Sequence, residues 1–431
     1  MIDGFNLALP RGTGVATYGF NLARALRGMG LGVEGIYGLG APLNRKLREI
    51  VFYESLGGEY VTRPARSFSL RGLRETSLLV RRKTAREIPL GERSRVETQQ
   101  FSHRLPNFDR LFTSPDLFDQ AVRHFKRYGV FLTVRVPHPP EVAHWTYPMP
   151  VRLAGARNIY TLHDMVPLRL PHTTLDNKRH YFKLVRACIR RGDRICTVSE
   201  ASRRDIELLF PEARGKVSNT YQAVHIPPAI VEASDEDVAT SLTTMFNLPY
   251  KGYFLYFGAI EPKKNVNRLI EAYLSIGSKT PLVVVGTRAW GGDVELRLLQ
   301  KDEVQPLKAT FKNVRRIDYL PRQLLMRLVR GAKAVAFPSL YEGFGLPALE
   351  AMMLGTPVVT STASSLPEVV GEAAIKVDPY SVGEIAAALR RLDGDEGLRG
   401  DLSQAGKARA GEYDMASYQQ RLAEMYAQVM R

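Results

Sequence analysis

The chain has 431 residues, carries 60 Lys and Arg against 44 Asp and Glu for a net charge of +16, and is 45% hydrophobic. Its length calls for two or three domains, the lack of any apolar run of eighteen residues excludes a membrane-spanning helix, and two cysteines, Cys188 and Cys196, exclude a disulfide framework and fit a reducing compartment. The excess positive charge leaves three classes of partner: nucleic acid, an anionic membrane face or a polyanionic substrate.

The N-terminal stretch MIDGFNLALPRG has neither the basic start nor the apolar run of a signal peptide, so a cytoplasmic location is expected. Residues 2–9 begin with a strand-like run. Gly12, Thr13 and Gly14 follow, and Phe20, Leu22, Ala23 and Leu26 then fall at helical spacing. Strand, glycine turn and helix N-terminus make an anion-facing turn, because unpaired N–H groups and the helix dipole point out of it. Without a ligand the same turn is ordinary packing.

Residues 40–130 are basic and irregularly patterned, and their elements are hard to place. Within them, 63–95 holds ten Lys or Arg, three Glu and a scatter of aliphatic residues including Leu70, Leu73, Leu78, Leu79 and Val80. That mixture suits contact with an anionic membrane surface, with a solvated basic insertion as the plainer alternative. No nucleic-acid partner is expected, since Phe68 is the one aromatic in this stretch that could stack on bases.

Strand signals resume at 130–132 and 142–145. Residues 157–162 read as a buried strand running into His163-Asp164, and a histidine at the C-terminal end of a parallel strand sits where open α/β sheets hold ligands. The plainer role is a buried histidine bonded to a backbone carbonyl. Residues 176–192 read as a basic helix, 194–198 as a strand, and Ser199 as the cap of the next helix. His172 and His180 have no partners at metal-ligand spacing, so no metal site is expected there.

Pro227-Pro228 and the polar run 234–237 read as a linker into a second domain. Residues 253–257 are a strong buried-strand signal that ends at Gly258 and leads through Glu261-Pro262-Lys263-Lys264-Asn265 to a helix. Two adjacent lysines after a parallel strand are well placed to neutralise a diphosphate, although a lysine pair alone is more often a solvated turn. Further strands are read at 281–286, 313–319 and 357–360, with loop 287–292 and Leu320-Pro321 as candidate borders of a nucleotide base. The densest signal is 337–360, FPSLYEGFGLPALEAMMLGTPVVT: the strand 334–337, a loop with Gly343 and Gly345, and a helix with Pro347 at its first position. Amides of Phe344, Gly345 and Leu346 would hold a phosphate there, and Glu342 and Glu350 would accept hydrogen bonds from hydroxyls. In the last helix Tyr418, Leu422, Met425 and Val429 form one apolar stripe.

The E-x7-E spacing of Glu342 and Glu350 around GFGLP, the strand-HDMVP element at 163–167, ICTVSEAS at 195–202 and GAIEPKKN at 258–265 resemble the retaining nucleotide-sugar glycosyltransferases of family four. Within that family the chain is similar to bacterial mannosyl- and rhamnosyl-type enzymes of surface polysaccharide synthesis. The resemblance spans nearly the whole chain and is weakest over 40–140. It implies an α/β fold of GT-B type, with two Rossmann-like parallel-sheet domains facing a cleft. An acceptor-side domain would cover 1–222 and a nucleotide-sugar domain 223–412, with helix 413–431 packing back on the first. The implied reaction is transfer of a hexosyl group, with retained configuration, from a nucleotide diphosphate sugar to a glycan or lipid-linked saccharide acceptor. The nucleotide sugar is a co-substrate, and no cofactor is expected.

On the same resemblance, Lys264 and Lys263 hold the diphosphate, helped by the amides of Gly12, Thr13 and Gly14 and of Phe344, Gly345 and Leu346. Glu350 holds the ribose hydroxyls, Glu342 the sugar hydroxyls, and His163 donates to the sugar near its reacting carbon. Many relatives carry Arg directly after the first glycine of the lysine loop, where this chain has Ala259, which moves the charge role onto the two lysines. The chain also begins close to Asp3, where relatives have a longer first strand.

A departing diphosphate must be stabilised by a divalent metal or by fixed cations and helix N-termini. Asp235-Glu236-Asp237 and Asp393-Gly394-Asp395 have acid-x-acid spacing but read as linker and surface loop, so metal independence is expected. Three rivals stand beside this reading. An NAD-dependent oxidoreductase needs a G-x-G-x-x-G turn that is missing. A sugar-nucleotide epimerase would share the two-domain shape without needing an acceptor. A non-enzymatic binder of anionic lipid or nucleic acid accounts for the charge, but not for two ligand loops facing each other.

Overall fold

The structure, a computed structural model, describes residues 1–9, 14–58, 82–91, 94–300 and 313–431. Gly12, Thr13 and most of the basic stretch 63–95 lie outside the described residues. The strands of the first half are β1 (Ile2–Asp3), β2 (Glu34–Tyr37), β3 (Arg82–Thr84), β4 (Arg86–Ile88), β5 (Arg110–Thr113), β6 (Leu132–Arg135), β7 (Val142–Trp145), β8 (Val151–Leu153), β9 (Arg157–Thr161), β10 (Arg194–Thr197) and β11 (Val217–Asn219). Eight of them form a sheet of order β11-β10-β9-β7-β1-β2-β5-β4, parallel except where β4 runs against β5. The other three make a small parallel sheet, β3-β6-β8.

The second half contributes β12 (Phe254–Phe257), β13 (Leu282–Val285), β14 (Val314–Ile317), β15 (Ala334–Phe337), β16 (Val358–Ser361) and β17 (Ile375–Val377). They pair in parallel in the order β14-β13-β12-β15-β16-β17, the 3-2-1-4-5-6 order of a doubly wound dinucleotide-binding sheet. Every residue of β12, β13 and β15 is buried, as expected for parallel strands covered by helices on both faces.

The helices used below are α1 (Gly14–Gly28), α2 (Arg45–Gly57), α3 (Leu117–Tyr128), α4 (Glu200–Leu209), α5 (Asp235–Phe246), α6 (Arg322–Gly331), α7 (Leu346–Met353), α8 (Leu366–Val370) and α9 (Met415–Met430). The stripe Tyr418, Leu422, Met425 and Val429 is buried as its spacing predicts, each side chain contributing about 1.5–3 kcal/mol. α9 lies against α1, where Gln419 Nε2 donates to the Ala25 carbonyl at 3.1 Å, and the Tyr426 hydroxyl meets His144 Nδ1 at 2.7 Å. The last helix thus fastens the end of the chain to its beginning. Among the described residues no helix is long and apolar enough to cross a membrane.

Some elements differ from the sequence reading. The run 234–237 is not linker but the start of α5, where Ser234 caps the amide of Asp237 and three acidic residues complement the helix dipole. Its polarity is what a helix N-terminus requires, and polarity alone does not separate that from a linker. The first strand is two residues long, and the strand expected at 130–132 begins at Leu132. The unreadable region contains α2, α3 and the short strands β3, β4 and β5, of which β5 and β4 end the large sheet and β3 pairs in the small one.

Candidate active site

In the six-stranded sheet the chain reverses its direction of winding between β12 and β15, so a crevice opens beyond their C-terminal ends. Two loops line it, 258–265 after β12 and 338–345 after β15. Asn265 takes the left-handed backbone conformation, which asparagine tolerates, and its buried side chain donates to the Pro338 carbonyl at 2.9 Å. The Leu340 amide donates to the Lys263 carbonyl at 2.7 Å. These bonds hold the loops together and set the lysines against the glutamate loop.

Lys264 Nζ lies 2.6 Å from Glu342 Oε1 and 4.9 Å from the centre of the Phe337 ring. The side chains of this pair are 13% and 9% exposed, so it is largely shielded from solvent. Burial works against the charge on Lys263, but Asp164, Glu261 and Glu342 around it outweigh burial and raise its pKa above the ordinary lysine range. Lys263 therefore presents positive charge at the sheet's switch point, beside the Lys264–Glu342 pair.

Gly345 has φ 112°, and a Cβ there would come within 2.8 Å of Leu366, so only glycine fits this turn into α7. The Glu342 amide bonds Ser364 Oγ, and Ser365 Oγ donates to the carbonyls of Glu342 and Phe344. The amides of Phe344, Gly345 and Leu346 make no hydrogen bond among the described residues, leaving three donors at a helix N-terminus. One turn on, Glu350 is buried, and Arg322 Nη2 of α6 holds its Oε1 at 2.8 Å.

The first domain closes this crevice from the other side. A Cβ on Gly14, the first residue of α1, would lie 3.9 Å from Leu346, so the N-termini of α1 and α7 face each other. The Gly12 and Thr13 amides expected beside it lie outside the described residues. Gly343 packs on the loop after β9, where a Cβ would fall 2.6 Å from the His163 carbonyl. Ser199 Oγ donates to the Gly343 carbonyl at 2.7 Å, and Ser202 Oγ to that of His163 at 2.8 Å. Glu368 of α8 accepts from the amides of Glu200 and Ala201 at 2.5 and 2.9 Å, capping α4 across the domain boundary.

His163 needs a correction. Its Nε2 lies 2.8 Å from the Thr146 carbonyl, an oxygen that can only accept, so Nε2 carries the proton. Burial lowers the ring's pKa, with the Thr146 bond and Asp164 acting the other way. A neutral ring with Nε2 protonated leaves Nδ1 as an acceptor. Nε2, the one protonated nitrogen, is thus already engaged with Thr146, which differs from the free donor that the sequence suggests.

Lys263, Lys264, Glu342 and the amides of 344–346 are thus brought to one crevice, with Glu350 one turn along α7 on Arg322 and with His163 and Gly14 meeting residues 343 and 346 from the opposite domain. Arg322 and Glu368 escaped the sequence reading. Each acts on a group distant in sequence and carries no local pattern that marks it. The two acid-x-acid runs have structural roles elsewhere: Asp235 pairs with Arg330, Asp393 binds Lys333, Ser278 and Thr280, and Asp395 caps a helix. Trp290 and Tyr319, in the loops after β13 and β14, are exposed.

Residues 248–409 match the family model described as glycosyl transferases group 1. Over 301 residues, 68% of this chain and 72% of the relative, the sequence is 32% identical to the O-antigen chain mannosyltransferase B of Escherichia coli. Sucrose-phosphate synthase from Thermosynechococcus elongatus superposes with a TM-score of 0.65 at 17% identity, over 100% of this chain and 98% of that one. Anabaena Alr3699/HepE, solved in complex with UDP and glucose, superposes with a TM-score of 0.59 at 18% identity, over 77% and 88%. The two structures carry the fold alone, a GT-B pair of Rossmann-like domains; the relative and the family model carry the kinship. With a Rossmann-ordered sheet, cations at its switch point and a second domain closing over them, the chain belongs to the group 1 glycosyl transferases.

Proposed function

We propose that this glycosyltransferase moves mannose or a related hexose from a nucleotide diphosphate sugar to a glycan or lipid-linked saccharide in surface polysaccharide synthesis, retaining configuration and using no metal. The observation that carries this reading is the placement of Lys263, Lys264 and the amides of Phe344, Gly345 and Leu346, which make no hydrogen bond among the described residues, along one crevice. Such a set stabilises the negative charge that develops on a leaving diphosphate. The acceptor oxygen bonds to the anomeric carbon as the bond to the phosphate oxygen breaks, and the hydroxyl proton passes to the departing phosphate. Glu350, steadied by Arg322, would take the ribose hydroxyls. Glu342, paired with Lys264 at rest, would divide itself between that lysine and the sugar, and His163 Nδ1 would accept from a sugar hydroxyl. Mannose follows from the named activity of the relative, and retention from kinship. Metal independence is supported by the structural roles of the acidic runs.

Thermal unfolding against UDP-, GDP- and dTDP-hexoses tests the reading. A raised midpoint with one base class is expected, and no shift with any of them would sink it.

A cytoplasmic enzyme working at the inner face of the cell membrane is the second part of this reading. On α2 and just before it, Leu43, Leu47 and Ile50 are 80%, 49% and 49% exposed on one face, beside Lys46 and just ahead of the basic stretch 63–95. Apolar and basic groups together suit an anionic bilayer. Binding to phosphatidylglycerol vesicles that survives Leu43→Glu and Leu47→Glu together would remove this assignment.

A further inference from the structure

The eight-stranded sheet has a switch point of its own. From β1 the chain winds outward to β2, while β7 pairs with β1 on the other side, Ile2 opposite His144. A crevice therefore opens beyond the C-terminal ends of β1 and β7, as in other doubly wound sheets. The residues leaving these two strands meet there. Asp3 accepts hydrogen bonds from the amide of Phe5 at 3.2 Å and from that of Thr146, which ties the two exits together.

Just beyond that tie, the rings of Phe5 and Tyr147 stack with centroids 6.3 Å apart and planes at 26°. Phe118 of α3 supports Phe5 edge-on at 5.3 Å. Both rings of the stack are partly exposed. The Tyr147 hydroxyl makes no hydrogen bond among the described residues. Burial, then Asp176 and Asp164, push its pKa up to about 12 against the pull of Lys263 from the opposite domain, so it is a neutral phenol on the cleft side.

A stacked aromatic pair, an unpartnered phenol and two nearby carboxylates match the chemistry of a pyranose, which has an apolar C–H face and hydroxyls at its rim. Asp164 also faces Lys263 and so borders both crevices, with the ring stack and Asp176 on the first-domain side. We propose that Phe5 and Tyr147 form the subsite for the terminal pyranose of the saccharide acceptor, which lies on the ring stack with hydroxyls toward Tyr147, Asp164 and Asp176. This subsite rests on the glycosyl-transfer reading given above.

The probe is α-linked mannotriose, followed by saturation-transfer NMR, with nucleotide-sugar thermal shifts measured on the same samples. Wild type is expected to pass saturation to the ring C–H protons of the trisaccharide. Tyr147→Ala should weaken that binding about tenfold, the scale of one lost aromatic contact, and Tyr147→Phe, which keeps the ring, should fall between. Nucleotide-sugar shifts should stay at the wild-type value in both variants. Mannotriose binding that is undetectable in wild type, or unchanged in Tyr147→Ala, overturns the subsite while nucleotide sugar still binds. Loss of all nucleotide-sugar shifts in wild type would overturn the transfer reading beneath it instead.

Discussion

The two sheets are built by the same rule and open the same kind of crevice, yet the two crevices are chemically opposite. Beyond β12 and β15 stand two lysines, two buried carboxylates and a helix N-terminus. Beyond β1 and β7 stand stacked aromatic rings and a neutral phenol, bordered by Asp164 and Asp176. A doubly wound sheet supplies the position of a site without supplying its chemistry. The side chains leaving the strands decide whether the crevice grips charge or cradles a ring.

The strongest way to break this contrast is to remove the charge from the second domain. Lys264→Ala should lower kcat by about 10²–10³, the scale of one lost donor to a developing anion. It would also strand Glu342 without its cation. The double variant Lys264→Ala with Glu342→Gln should therefore regain stability without regaining turnover. Near-normal turnover in Lys264→Ala would show that the lysine crevice does not carry the reaction.

The next test pries the crevices apart. In Gly343→Ala the added methyl falls 2.6 Å from the His163 carbonyl and 3.2 Å from Asp164 Cβ. The backbone must shift, at about 1–3 kcal/mol for overpacking of this kind, and the glutamate loop, with the lysine loop bonded to it, should move away from the first domain. A lowered unfolding midpoint together with reduced turnover is expected. An unchanged midpoint would mean that the two loops do not press on each other in solution.

The smallest expected effect concerns pH and the aromatic side of the comparison. Burial lowers the pKa of His144 from 6.5 to about 3, with the N-terminal amino group and His163 adding to the shift. Its nitrogens bond Thr161 at 2.8 Å and Tyr426 of the last helix at 2.7 Å. Above pH 6.5 both folded and unfolded chains hold it neutral. As pH falls below that value the unfolded chain takes up a proton that the folded one refuses, so stability declines toward pH 3, by about 2 kcal/mol at pH 5. His144→Gln should flatten the melting-temperature profile between pH 6.5 and 5, and an unaltered slope would contradict the assignment.

The charged crevice was legible in the sequence because its parts are local. Lys263 and Lys264 adjoin Asn265, and Glu342, Gly343 and Gly345 share one loop, so short motifs carried the family resemblance residue by residue where a lysine pair alone would have passed for a solvated turn. The aromatic crevice was not legible, because Phe5 and Tyr147 meet only after β7 is laid beside β1. His163 lies between these cases. Its place at a strand end followed from pattern, but its proton follows from the Thr146 carbonyl, which belongs to another strand exit. Arg322 and Glu368 were invisible for the same reason, since each completes a group that the fold alone brings near.

Calorimetric titration with a nucleoside diphosphate and its monophosphate, on wild type and on the Lys263→Ala, Lys264→Ala double variant, tests the central claim most directly. If paired lysines and the α7 amides grip the second phosphate, the diphosphate binds wild type about tenfold or more tightly than the monophosphate, and the double variant loses most of that gap. Equal affinity for the two nucleotides, or a gap that persists without the lysines, would contradict the account.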